Sequence, residues 1–507
     1  MAGPERITCL AGIRLPHYPI DSFWDITFSA GPDSVVNSIT PHDGSLPANG
    51  SCRHGDGALL TPPLCHAHIH LDKPFLLSTP PHSSLPPPTT GSFAEAMSLT
   101  RQAKSSFTRP DLLRRGRRLL RESLRAGVTA CRAFVEVDPG VGTLCLDVGL
   151  ELKREWGNRG IDVQICAFAQ ERIYGSGLDI GPTDSAAVDG DDGGREMRRL
   201  MVEAAARDGV DVLGSAPYVE ATEENSRKNV NWLVELASKH DKLIDFHLDY
   251  FLEEDKAPLV WRVIEILRQH GWGEPTRAGM REKQATFGHC SRLTLFQRKD
   301  WQSLRDAIGD DLSVGFVGLP TSDLFMMGRP ASDPIKESTE GGGERVRGTL
   351  QIPQIISEYN IQAAIGINNV GNAFTPWGSC DPLGLASLGI GIYHAGTGRQ
   401  WELLFECVGR RARQVIGLGD NRTARGDVEE IGGDAHQHGI QVGDTADFVL
   451  WRGSWGSGLA EMAQHDEADD NSVLRRTIQE LVCDPPEIVE RTVIRGGLVV
   501  AQGGHIL

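Results

Sequence analysis

Short β-branched or apolar runs alternate with longer amphipathic stretches between about residue 59 and residue 368. Eight such runs are counted, at 59–65, 128–135, 161–168, 210–216, 242–247, 284–289, 312–319 and 361–367. The segments between them, such as 112–126, 195–208, 229–240 and 259–270, repeat their apolar positions at helical spacing. Strand followed by helix, eight times over, predicts an α/β fold in which a parallel sheet closes into a (β/α)8 TIM-type barrel.

The flanks have a different texture. Residues 1–58 and 435–507 carry short strand-like runs (24–28, 446–451, 490–500) interrupted by glycines and turn residues. They predict a small β-sandwich domain assembled from both ends of the chain, with the barrel occupying 59–434. The segment 490–507 reads as a hairpin closed at Arg495-Gly-Gly. Three stretches read as loops on the C-terminal side of the barrel: the Pro/Ser-rich 78–92, and the glycine-rich 175–194 and 328–343.

Composition narrows the function classes. The chain has 507 residues, of which 40% are hydrophobic and 23% charged, ordinary values for a globular protein. Its net charge of −17, from 51 basic and 68 acidic residues, argues against a nucleic-acid partner, which needs a basic face. The basic run 114–121 sits at helical spacing with leucines and reads as a solvated helix face. No stretch of about 18 apolar residues suggests a membrane span, and residues 1–16 lack the pattern of a signal peptide. The ten cysteines are scattered without CxxC spacing and read as free thiols, so a cytoplasmic location is expected. No GxGxxG follows a strand and no GxxxxGK[ST] occurs, which excludes the usual nucleotide-phosphate cradles.

The sharpest chemical signal is His66-Ala-His68-Ile-His70-Leu-Asp72-Lys73. Residues two apart on a strand point the same way, so two of these imidazoles can face one ion inside a barrel. Spacing alone leaves open which pair does so. His247 and His289 end the fifth and sixth runs, at the same rim. Imidazole donors suit one divalent metal ion, zinc or iron.

These motifs resemble the cytosine deaminase branch of the amidohydrolase superfamily. The likeness runs from about residue 55 to 420 and rests on four stretches: His68-Ile-His-Leu-Asp72, Val163-Gln-Ile-Cys-Ala-Phe-Ala-Gln170, Leu243-Ile-Asp-Phe-His247, and 366–377 with its Pro376-Trp377. A Gly-Asp-x-Ala-Asp turn at 443–447 adds to it. The resemblance implies His68, His70, His247 and the residue after the eighth strand as metal ligands, and His289 on the bound water or substrate. It implies Gln170, Asn369 and Trp377 as contacts to a small-molecule substrate. Related barrels are frequently homo-oligomers, and by that analogy a homo-oligomer is admitted here.

Two departures alter the expected chemistry. The family's metal-binding aspartate corresponds to Asn368, and its proton-shuttling glutamate to Tyr250. An amide oxygen still coordinates a metal but cannot take the proton of an attacking water. A phenol with a pKa near 10 is a poor shuttle. Asp249 is the replacement base to consider, since it shares the direction of His247 if the strand stays extended. Glu253, Glu254, Asp72, Glu136 and Glu220 are further carboxylates near the rim. Asp381, before Pro382, reads as a helix N-cap. The expectation is a metal-dependent hydrolase of a carbon–nitrogen bond in a small cyclic or amide-like substrate, by a route other than ordinary cytosine deamination. The alternatives are an altered or inactive barrel that binds a small molecule or partner, and a metal-dependent lyase or isomerase.

Overall fold

The structure, a computed structural model, describes all residues except 1–4, 30, 32, 46–50, 79–84, 176–193, 274–282, 329–347, 420–438 and 453–474. Eight parallel strands neighbour one another in chain order: β1 (Leu64–His70), β2 (Val128–Glu136), β3 (Asp162–Ala169), β4 (Val210–Ser215), β5 (Leu243–Leu248), β6 (Ala285–His289), β7 (Val314–Gly318) and β8 (Ala363–Ile365). Nearly every strand residue is buried, as both faces of a barrel sheet require. Amphipathic helices cover the outside, among them Arg109–Arg125, Leu144–Gly157 and Glu223–Lys239. Closure at the β1/β8 seam is short. Ile69 bridges Asn368 in parallel, Asn368 N–H donates to the His68 carbonyl (3.0 Å), and His70 N–H donates to the Asn368 carbonyl (2.9 Å).

Seven of the eight expected runs become the expected strands. The first shifts. Pro62 and Pro63 offer no N–H to a ladder, so Leu60–Thr61 pairs antiparallel with Val449 and Leu450 of the end domain, and the barrel strand begins at Leu64. The segments 176–193 and 329–347, which take up most of two expected loops, lie outside the described residues, as does 79–84 of the third.

The chain ends form two small sheets. One has the order Val36–Pro41, Trp24–Phe28, Cys9–Ile13, Cys52–His54; the other runs His505–Ile506, Leu498–Gln502, Thr492–Arg495, Phe448–Leu450, Leu60–Thr61. Leu10, Ile26 and Phe28 of the first share one core with Phe448, Leu450, Ile494 and Val499 of the second. The hairpin after Arg495 turns on Gly496 (φ 54°) and Gly497 (φ 73°), both in the left-handed region its tight turn requires. Asp381 caps the helix Pro382–Ile392 as expected, accepting from Leu383 N–H, and also pairs with Arg491 (2.7 Å), which ties this helix to the end domain. One expectation about the cysteines is corrected. Cys9 and Cys52 lie directly opposite on neighbouring strands, with Cα atoms 4.4 Å apart, and form a disulfide. Their distance in sequence hid that register. The other eight cysteines are free.

The basic run on the helix Arg109–Arg125 is mostly the solvated face expected, with Arg117 on Glu155 and Arg118 on Glu122. Arg115 is the exception. It is buried, pairs with Asp111, and donates to the carbonyls of Asp72 and Pro74, holding the turn after β1.

Two charged networks are built into the barrel. Below its mouth, Arg132 donates to Gln164, Asp245 and Thr286 and to the carbonyl of Ile416, while Thr286 donates to the carbonyl of Val415. These carbonyls follow the helix Arg410–Val415, so this helix end and the arginine together floor the barrel. Beside the mouth, Glu136 bonds both Lys73 and Lys104, and Lys104 also reaches Asp138 (2.6 Å). Burial alone pushes the Glu136 carboxyl up, but Lys104 and Lys73 together pull it down to about 2.

Removing the Glu136 charge leaves two buried ammonium groups with one carboxylate between them. Glu136→Gln is expected to destabilise the fold by about 3 kcal/mol or more, read as a lower urea midpoint, whereas Arg199→Ala on the surface stays within about 0.5 kcal/mol. Because the Glu136 pKa is depressed on folding, its contribution is present above the ordinary value of 4.5 and is lost as pH falls toward about 2. The difference between parent and variant should therefore shrink over that window; a constant difference would sink the assignment.

Candidate metal centre

The alternation of β1 does not run unbroken through its three histidines. The β1/β2 register slips between His66 and Ile69, one extra residue being accommodated as a bulge. His66 consequently faces outward, where its Nε2–H donates to Ser123 Oγ (3.0 Å), whose own proton goes to the Leu119 carbonyl. His68 and His70 turn inward. Of the three, these two are the pair that faces the barrel interior.

Inside, the imidazoles crowd together. One ring nitrogen each of His68, His247 and His289 lies within 4.8 Å of the other two. The His70 ring centre is 5.3 Å from that of His247 and 5.7 Å from that of His68. Phe134 packs on His68 (4.0 Å between ring centres) and Phe168 on His247 (4.1 Å). Gly288 is required by this packing, since a Cβ there would meet the His68 ring at 2.9 Å. All four imidazoles are buried, and burial holds His68, His70 and His247 well below the ordinary histidine pKa, so these three are neutral.

Several buried polar atoms without a hydrogen-bond partner gather here. Both ring nitrogens of His68, Nε2 of His247 and Oδ1 of Asn368 are buried without a hydrogen-bond partner. Leaving such atoms unsatisfied costs about 1–3 kcal/mol each, so the set is suited to a bound cation. Asn368 is fixed from its other side, with Nδ2 donating to Ser322 Oγ (2.8 Å). Its backbone is left-handed (φ 67°), as are those of Asp249 (φ 48°), His289 (φ 67°) and Cys290 (φ 50°). A non-glycine residue there costs roughly 1–2 kcal/mol, and the concentration of such residues at three strand ends marks this rim as specialised.

Sequence reasoning missed Asp323. This buried carboxylate, from the helix Pro320–Met326, accepts a hydrogen bond from His289 Nδ1–H (2.8 Å) and another from Thr349 Oγ1–H (3.0 Å). It thereby fixes the His289 tautomer with the Nε2 lone pair free, as a carboxylate behind a metal-binding histidine does. Its signal was a carboxylate closely following the seventh strand, in Thr321-Ser-Asp323.

Asp249 is corrected as a candidate base. The extended backbone stops at Leu248, and the Asp249 carboxylate accepts from Leu259 and Val260 N–H (2.7 and 3.1 Å), at the start of the helix Val260–Gln269. Tyr250 packs its ring on His289 (3.9 Å), and its hydroxyl reaches the Ser322 carbonyl at 3.5 Å. Burial, reinforced by Asp323, raises its pKa well above 10, so it stays protonated. Glu220 is buried on Ile173 N–H and Asn229, Glu136 serves the lysines, and Glu253 and Glu254 are exposed. Gln170 is buried beside the Tyr218 phenol. The Asn369 side-chain oxygen accepts from Asn372 within its own loop (2.7 Å), and Trp377 is half exposed. Above the imidazoles, Phe93, Met97, Tyr218, Tyr250, Met326 and Phe374 form one apolar cluster drawn from five loops and helices.

No protein-family model matches the chain, and no curated protein matches it. Solved structures do. The 5-methylcytosine deaminase of Klebsiella pneumoniae, liganded with 5-fluorocytosine, aligns at TM-score 0.73 and 21% identity over 97% of each chain. The N-isopropylammelide isopropylaminohydrolase of Burkholderia multivorans aligns at 0.65 and 22%, over 99% of this chain and 100% of that one. The atrazine chlorohydrolase of Arthrobacter aurescens, complexed with zinc, aligns at 0.59 and 15%, over 98% and 96%. At these identities the likeness is one of fold, and this chain shares that fold with these three proteins over nearly its whole length.

Proposed function

We propose that the protein is a metal-dependent hydrolase that cleaves a carbon–nitrogen bond in a small cyclic or amide-like substrate, by a route other than ordinary cytosine deamination. The observation that carries this reading is the set of buried, unpartnered donor atoms on His68, His247 and Asn368 at the C-terminal mouth of the barrel, where barrel enzymes place their chemistry. The ion is one divalent metal held by His68, His70, His247 and Asn368, with His289 beside them. Zinc is favoured by the donor set and by the zinc in the Arthrobacter aurescens structure. Bound there, it supplies Lewis acidity toward the substrate.

The remaining work falls to the protein's own groups. Asp323 keeps the His289 Nε2 lone pair directed at the site, where it holds or moves a proton. Gln170 and Trp377 contact the substrate, and Tyr250 walls the pocket against His289. A phenol kept protonated by burial does not shuttle protons at neutral pH, and Asp249 is engaged in capping a helix. The acid–base pair of cytosine deamination is thus missing from both places where it was sought. A cytoplasmic setting suits the eight free cysteines. Among the described residues no helix is long and apolar enough to cross a membrane.

Elemental mass spectrometry of the purified protein should find near-stoichiometric zinc or iron, lost in the His68→Ala/His70→Ala double variant. Protein that stays metal-free after reconstitution would remove the hydrolase reading and leave the fold. Asp323→Asn removes the carboxylate charge behind His289 and should weaken metal affinity about tenfold or more, measured by competition with a chelator; unchanged affinity would detach Asp323 from the centre. Tyr250→Phe should leave metal content and any turnover on an amide, imide or amidine panel within about twofold, because the hydroxyl makes only a long hydrogen bond. A loss of a hundredfold or so would instead make the phenol a proton carrier.

A further inference from the structure

The charges around the centre can be paired off one by one. Arg132 is matched by Asp245, and the two lysines by Glu136 and Asp138. Asp72 turns its carboxylate to Glu136 N–H (2.7 Å), and its charge acts on that cluster. Asp249 faces the helix it caps. Asp323 is the one carboxylate among the described residues that hydrogen-bonds an imidazole of the centre, and it does so from behind the ring. The proposed ligands are three imidazoles and one amide, with the His289 imidazole beside them.

The ligands proposed for the ion are all neutral, and Asp323 reaches the centre only through the far side of the His289 ring, so a divalent ion there would leave an excess of positive charge at its ligands. A net charge enclosed in a low-dielectric cavity is costly, and the place where a carboxylate would cancel it is taken by a neutral amide whose Oδ1 has no hydrogen-bond partner. Building on the metal reading above, we infer that Asn368 makes this pocket a receptor for a small carboxylate, so that the substrate itself brings the negative charge that the protein's donors omit. The substrate class is thereby narrowed from neutral amino-heterocycles to amide-like compounds bearing a carboxylate close to the scissile carbon–nitrogen bond.

Cobalt(II)-loaded protein tests this without any turnover. Acetate should shift the visible absorption bands of the cobalt saturably, and acetamide, its neutral counterpart, should leave them unchanged. Asn368→Asp, loaded to the same cobalt content, should bind acetate about tenfold or more weakly, since it places a like charge beside the incoming one. Cobalt bands indifferent to acetate, or shifted equally by acetamide, would overturn the inference while leaving the metal reading intact. So would an Asn368→Asp variant that takes acetate as tightly as the parent. The comparison of acetate with acetamide on the parent decides the matter even where the variant fails to fold. Failure to take up cobalt at all would overturn the metal reading, and this inference with it.

Discussion

The barrel closes through the main chain of the residues that form its centre. β8 is only three residues long, so the seam depends on Asn368 lying between the carbonyl of His68 and the N–H of His70. Those two hydrogen bonds require the left-handed backbone at Asn368, and the same turn aims its side chain at the interior. Ring closure and the placement of these side chains are thus one constraint. A displacement of the seam moves two imidazoles and the amide together, which explains why the surroundings are pinned so heavily, by Ser322 on the amide, Arg115 on the turn after β1 and Gly288 against the His68 ring.

Much of this architecture was legible in the sequence because buried parallel strands and amphipathic helices have different periods. The strands were found to within a few residues except at β1, where an apolar run continued across two prolines that divide it between two sheets. The convergence of His68, His247 and His289 was legible because all three lie toward the C-terminal ends of their barrel strands. What stayed hidden were effects of backbone geometry that leave no pattern. The bulge that sends His66 outward is one, and the left-handed turn that takes Asp249 away from His247 is another. Asp323 escaped because its importance lies in a contact with a residue 34 positions away. The Cys9–Cys52 bond was missed for a similar reason, since only the sheet register brings those two residues together.

The interior polar groups are organised in tiers. The arginine network lies lowest, the imidazoles above it, and an apolar cluster of aromatic and methionine side chains lies over them. Each tier solves a different problem. The lowest gives buried charge a full set of partners. The middle holds His68, His70 and His247 neutral and leaves some ring nitrogens without partners. The uppermost sets apolar side chains over the buried imidazoles, and a low-dielectric surrounding of that kind strengthens electrostatic interactions.

The arginine floor also fixes the traffic. Arg132, Gln164 and Thr286 are bonded to the carbonyls of Val415 and Ile416, so the N-terminal end of the barrel is stoppered by the chain itself. Among the described residues the centre is thus shut on its floor side, with the aromatic and methionine cluster on the opposite side. A molecule reaching the centre from that opposite side could not pass on through the floor.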